Sequence, residues 1–190
     1  MKFTIFAAAL ALFNGLVASA PVADAEADVQ LEARQQAVYY PNNPMTVIWS
    51  PSYGYVSDSW VSIGRYTYQG VQYDTNTLLS YSLPDGLKGK TCQFILGNGF
   101  YAGGTRKVQL FSVGGPISTT DTFTSRPYRN IHYGIFTIAP DGASATWDAI
   151  PPPKFPCPEK ATTLGYEVVP QGDEDWAGWY SNSGLAIQVV

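Results

Sequence analysis

Few side chains in this sequence could do covalent or acid–base chemistry. His132, within Arg129-Asn130-Ile131-His132-Tyr133, is the one histidine; no G-x-S-x-G motif occurs, and the cysteines number two, Cys92 and Cys157. A hydrolytic triad needs a nucleophile, a base and a group that orients the base, and that set is missing. His132 reads as a strand-edge residue making ordinary hydrogen bonds. The same count leaves too few ligands for a zinc, haem or iron–sulfur site, so neither a metal nor another cofactor is expected.

Glycoside hydrolysis asks for less, two carboxylates roughly 5–5.5 Å apart for retention or roughly 6.5–9.5 Å for inversion. Most acids stand beside glycine or proline in turns, as Asp85 and Asp141 do, whereas Glu167 lies inside an apolar strand. Alternation sets it opposite Tyr166 and Val168, on a solvated face, with no second carboxylate identifiable as its partner. Asp173-Glu174-Asp175 offers oxygen ligands of the kind calcium takes. Successive residues of an extended chain point to opposite sides, so the run reads as a solvated acidic turn.

Aromatic residues give the best binding signal. Along 60–68, Trp60, Ser62, Gly64, Tyr66 and Tyr68 share one side of a strand, and Val61, Ile63, Arg65 and Thr67 share the other. If Val61 and Ile63 face the core, Trp60, Tyr66 and Tyr68 form an exposed ribbon suited to stacking on sugar rings. A bulge at Gly64 would instead switch faces and bury the tyrosines. Trp176-x-x-Trp179-Tyr180, beside the acidic turn, is a second candidate. The competing reading for both clusters is core packing, which large aromatics dominate in sandwich proteins.

These side chains need a scaffold, and the body of the chain supplies strands. Segments of period-two or β-branched and aromatic character span 45–50, 59–68, 77–83, 91–96, 107–113, 133–139, 143–148, 163–170, 177–180 and 185–190. Between them stand turn formers, Pro84-Asp85-Gly86, Asn98-Gly99, Gly103-Gly104, Gly114-Gly115-Pro116 and Pro140-Asp141-Gly142. No stretch of a dozen residues shows helical periodicity. The pattern predicts an all-β fold, an antiparallel β-sandwich of Ig-like or jelly-roll type, occupying residues 35–190 as a single domain. The proline-rich stretch 150–158 (IPPPKFPCP) cannot be a central strand, because proline donates no ladder hydrogen bond; it reads as an extended connection.

Composition narrows the function classes. Of 190 residues 45% are hydrophobic and 14% charged, with a net charge of −4 and no basic run. That balance lacks the electrostatic footprint of a nucleic-acid binder. Met1-Lys2, an apolar stretch to Val17 and the small-x-small triplet ending at Ala20 have the layout of a secretory signal peptide over residues 1–20. Asn14-Gly15 interrupts that stretch, which falls short of the roughly 20 apolar residues of a membrane span. Residues 21–34 form an acidic, alanine-rich segment that reads as a pro-segment trimmed after Arg34. The alternative is a retained floppy tail. The end at Val190 lacks the spacer and tail of a GPI signal, so attachment to a wall is expected to be non-covalent or through a partner.

An oxidising compartment leaves few thiols unpaired, so Cys92 and Cys157 are expected to form a disulfide. The loop-entropy relation assigns such a closure about 4 kcal/mol.

Gly89-Lys90-Thr91-Cys92, Phe155-Pro156-Cys157-Pro158, Leu164-Gly165-Tyr166-Glu167-Val168 and Gly184-Leu185-Ala186-Ile187 together resemble a family of secreted or cell-wall fungal proteins. It is the family of the C-terminal domain of the ubiquitin-3-binding protein But-two, and the resemblance covers roughly residues 43–190. It implies a β-sandwich with a Cys92–Cys157 bridge and no known enzyme activity. The binding of a ubiquitin-like activating subunit that names the family does not carry over to a secreted chain.

The expectation is a secreted, non-catalytic fungal β-sandwich protein of the cell wall or extracellular space, binding a polysaccharide or protein surface. Trp60, Tyr66, Tyr68, Trp176 and Trp179 are its candidate contacts. The alternatives are a small effector or structural wall protein with all aromatics buried, and a carbohydrate-active hydrolase or lyase using Glu167.

Overall fold

Short hydrophobic runs broken by turn residues give fourteen strands and no helix among the described residues, which are 36–43 and 45–190 of this computed structural model. The expected signal peptide and pro-segment, with the processing positions Ala20 and Arg34, lie outside them. In chain order the strands are β1 (Val38–Tyr39), β2 (Met45–Trp49), β3 (Tyr53–Ser57), β4 (Trp60–Tyr68) and β5 (Val71–Leu83). Next come β6 (Thr91–Leu96), β7 (Phe100–Gly103), β8 (Lys107–Val113), β9 (Arg129–Ile138) and β10 (Ala145–Trp147). The last four are β11 (Lys154–Pro156), β12 (Thr162–Pro170), β13 (Asp175–Tyr180) and β14 (Leu185–Val189).

Every pairing is antiparallel. A small sheet runs β1-β14-β6-β11, and a ten-stranded, nearly closed sheet runs β10-β9-β8-β12-β5-β4-β13-β7, with β2 added to β5 and β3 to β2. The core lies between them. Phe94 and Ile187 of the small sheet meet Leu79, Tyr81, Leu110, Phe136, Tyr166, Val168 and Trp179 of the large one. Rings interlock edge to face there, Phe94 with Tyr166 at 5.1 Å and Phe136 with Trp147 at 5.3 Å, the geometry their quadrupoles favour.

The cysteines form the expected bridge, with Cα atoms 5.0 Å apart and both residues buried. The bridge pins the proline-rich segment to β6. Within 150–158 only Lys154–Pro156 pairs, and it does so at the edge of the small sheet, where a missing amide hydrogen costs no ladder bond.

The alternation read from the sequence reproduces β6 and β8 residue for residue, but β1, β3, β7, β11 and the first half of β5 are additional. The extension of β5 follows from a two-residue turn. Gln69 and Gly70 both have positive φ, 50° and 77°, and join Tyr68 directly to its partner Val71. That is the primed hairpin turn whose twist matches its strands.

Candidate functional site

Val61 and Ile63 are buried, and β4 pairs with β5 and β13 without a bulge at Gly64. The condition for an exposed ribbon is therefore met. Tyr66 is 43% exposed and Tyr68 60%, while Trp60 is half-buried.

Antiparallel partners point to the same side of a sheet, so the registers extend this ribbon sideways. Gly64 pairs with Thr75 on one edge of β4 and Trp176 on the other; Thr75 pairs onward with Trp49, Trp49 with Tyr53, and Trp176 with Gly103. One row thus reads Tyr53–Trp49–Thr75–Gly64–Trp176–Gly103 across six strands. The neighbouring rows add Tyr66 beside Tyr73, Tyr68 beside Val71, Tyr101 beside Gly178, and Trp60 beside Tyr180. At about 4.8 Å per strand the row spans about 24 Å.

The rings brace one another. Tyr66 stacks on Tyr73 at 5.2 Å and 15°, and Trp60 meets Tyr180 edge-on at 5.0 Å and Tyr101 at 5.7 Å. Tyr53 lies 6.5 Å from Trp49 and 6.3 Å from Tyr55. Two glycines serve as beds. A Cβ at Gly178 would come within 2.5 Å of Trp60 Cζ2, and one at Gly103 would collide with the Trp176 indole. Those two indoles therefore lie down on bare backbone, and Trp176 keeps 55% of its surface exposed.

Trp179 does not belong to this face. It is three residues from Trp176, an odd number, so strand alternation turns it inward. It is fully buried against Phe100 and Phe136, at 5.4 and 6.1 Å. A side chain so enclosed is no surface contact, contrary to the expectation for Trp179. Trp49, Tyr53, Tyr55, Tyr73, Tyr101 and Tyr180 take its place. Their local signal is alternation, in Tyr53-Gly54-Tyr55 and Val71-Gln72-Tyr73, but their assembly depends on pairing between distant strands.

Glu167 requires a second correction. It does point away from Tyr166 and Val168, yet it is fully buried instead of solvated. Residues 114–128 cross over its side of the sheet and close it. Thr46 Oγ1 donates to Ser118 O at 2.9 Å, and a Cβ at Gly54 would overlap the Asp121 carbonyl. Arg129 donates to Glu167 through Nε at 2.7 Å and Nη2 at 2.9 Å, Arg126 Nε lies 3.2 Å away, and Asn76 Nδ2 donates at 2.9 Å. Its partners are cations and an amide, with no second carboxylate, so it anchors the covering segment. His132 lies exposed in β9, stacked on Phe111 at 4.6 Å, and Arg129 covers the same ring at 5.1 Å.

The acidic turn is split. Asp173 and Glu174 are exposed, but Asp175 is buried and accepts from Thr105 N, Thr105 Oγ1 and Gly172 N at 2.5–2.7 Å. Glu174 accepts from Thr67 N at 3.1 Å. The run ties the loop before β13 to the β7–β8 turn and to β4, and Asp175 is not part of a solvated turn. Among the described residues no group of three His, Cys, Asp or Glu side chains is placed to hold a metal ion, and no helix is long and apolar enough to cross a membrane. Neither a protein-family model nor a curated protein nor a solved structure matches this chain.

Proposed function

We propose that this chain is a secreted, non-catalytic fungal binding protein of the cell wall or extracellular space, and that its aromatic face holds an extracellular polysaccharide. The observation that carries the reading is the exposure of Trp49, Tyr53, Tyr66, Tyr68, Tyr101, Trp176 and Tyr180 on one side of contiguous strands. Exposed apolar patches of this extent mark interaction sites. Rings lying flat on the backbone suit stacking against the C–H faces of sugars better than insertion into a partner's pocket. A disulfide at Cys92–Cys157 fits an oxidising compartment and the But-two C-terminal family, which we propose as this chain's kin.

The test is retention of the protein on insoluble chitin, β-glucan and cellulose, beside a Trp60→Ala/Tyr66→Ala variant whose fold is checked by circular dichroism. Retention by the parent and loss by the folded variant is the expected result. No retention on any of the three polymers would overturn the reading in favour of a protein partner.

A further inference from the structure

We infer that the occupant of the aromatic face is an uncharged polysaccharide, lying across the strands from Trp49 and Tyr53 to Trp176 over a floor made by Thr75 and Gly64. This rests on the function proposed above and names the ligand class and its path.

Charge comes first. On this side of β2, β3, β4, β5, β7 and β13 the solvent-facing positions run from Trp49 and Tyr53 through Tyr66 and Thr75 to Tyr101 and Trp176. None carries a charge. The charged residues of these strands, Arg65, Asp74 and Asp175, occupy one row on the opposite side, where Asp175 pairs with Arg65 and Arg65 with Asp74. Arg65 Nε is bound to Asp74 Oδ1 at 2.5 Å, and Asp175 is held by three donors, so none is free to swing round. An acidic polymer is recognised through charge-assisted bonds from Arg or Lys. Laid on this face it would lose water from its carboxylates and gain no cation. A neutral polymer loses nothing of that kind, and the hydroxyls of Thr75, Ser62 and the tyrosines offer it neutral donors and acceptors.

The path follows from what covers each glycine. Gly103 lies under the Trp176 indole and Gly178 under Trp60, but a Cβ at Gly64 would meet only Asp175 O at 3.6 Å and the Trp176 Cβ at 3.8 Å. Among the described residues no ring rests on Gly64. Between Trp49 and Trp176 the row therefore holds two small residues over about 14 Å of backbone, with a tryptophan at each end.

The experiment is a set of binding isotherms for the protein on chitin, β-1,3-glucan and cellulose, and on carboxylated cellulose as the anionic counterpart of one of them. Trp49→Ala, Trp176→Ala and Gly64→Leu are run beside the parent after circular dichroism. The expected result is binding to at least one neutral polymer, weaker binding to the carboxylated form, and about a tenfold loss in each variant. Binding to carboxylated cellulose as strong as to any neutral polymer would overturn the ligand class; it needs only the parent protein. Loss in Trp176→Ala with Trp49→Ala and Gly64→Leu unchanged would overturn the path. Both results leave polysaccharide binding standing. Absence of binding to all four polymers overturns the proposed function itself, and the inference with it.

Discussion

The row Thr46–Leu78–Glu167–Phe111–His132 and the row Tyr53–Trp49–Thr75–Gly64–Trp176–Gly103 each cross at least five strands of the large sheet. The chain closes most of the first with residues 114–128 and two arginines, and leaves the second open among the described residues. The contrast runs against simple expectation, since the covered row holds the carboxylate and the open row holds the tryptophans. Covering an ion requires that every lone pair find a donor, and Glu167 has four such contacts. Leaving aromatic surface in water forgoes roughly 25 cal/mol for each Å² left unburied. That a segment of fifteen residues lies over one row while the aromatic row stays bare is what supports the proposed outside partner at the second.

The largest way to sharpen the contrast lies within β13. Trp179→Ala empties a fully buried site and should cost about 3–5 kcal/mol in denaturant unfolding. Among the described residues its indole Nε1 has no hydrogen-bond partner, so Trp179→Phe should cost clearly less, because it discards a stranded N–H along with some volume. A loss under about 1 kcal/mol for Trp179→Ala would mean that the inward assignment is wrong. Glu167→Leu comes next. It strands two guanidiniums and the Asn76 amide beneath the covering segment, at a cost of about 3 kcal/mol. Arg129 is partly exposed and can reach water, which places the figure at the lower end of the range for broken buried pairs. Polysaccharide retention by the folded fraction should be unchanged in Glu167→Leu. Loss of retention would join the two regions functionally and break the comparison.

What could be read in advance divides along the same line. Alternation within one strand separates Val61 and Ile63 from Trp60, Tyr66 and Tyr68, because a side chain's direction along a strand depends on its parity, but which set faces the core, and that no bulge at Gly64 switches them, comes from the pairing and burial of β4. The same rule separates Trp176 from Trp179, and grouping them by nearness in sequence obscured it. For Glu167 parity gave the correct side and the wrong environment, because burial there comes from Arg126 and Arg129, some forty residues away in sequence. The width of the aromatic face was hidden for a related reason. Trp49 and Trp176 share a row only through the pairings of β2 with β5, β5 with β4, and β4 with β13.

The core tyrosines offer a further readout through pH. Burial pushes the hydroxyls of Tyr81 and Tyr166 well above the ordinary tyrosine range, and the neighbouring hydroxyl, that of Tyr166 for Tyr81 and that of Tyr133 for Tyr166, adds to it. Tyr133 is raised as well, chiefly by burial. A folded-state value above the unfolded one contributes stability that is fully present below about pH 10 and lost as the pH rises toward the folded value. Urea unfolding should therefore show a midpoint flat between about pH 7 and 9 and falling above about 10. Tyr81→Phe, which loses a hydrogen bond to Leu185 O, should lower the plateau by about 1 kcal/mol and flatten the fall. An alkaline slope identical to the parent's would show that Tyr81 carries none of it.

The smallest expected change in stability is the one that weighs most on function. Trp176 is only three residues from Trp179, carries the same side chain and lies in the same strand, so the pair controls for composition and position together. Trp176→Ala uncovers the backbone at Gly103 and gives up ring contacts, but more than half of the side chain already meets water. Its cost should be about 1 kcal/mol or less, within the range of surface substitutions. Restoring cover from below, as in Gly103→Ala/Trp176→Ala, should recover part of even that, since the methyl would then occupy space the indole has vacated. Retention on polysaccharide should move the other way, weakened about tenfold in Trp176→Ala and in the double variant alike, because the methyl restores packing and no ring. If the double variant regained both stability and retention, Trp176 would be a cover for bare backbone, and the open row would lose its best claim to an outside partner.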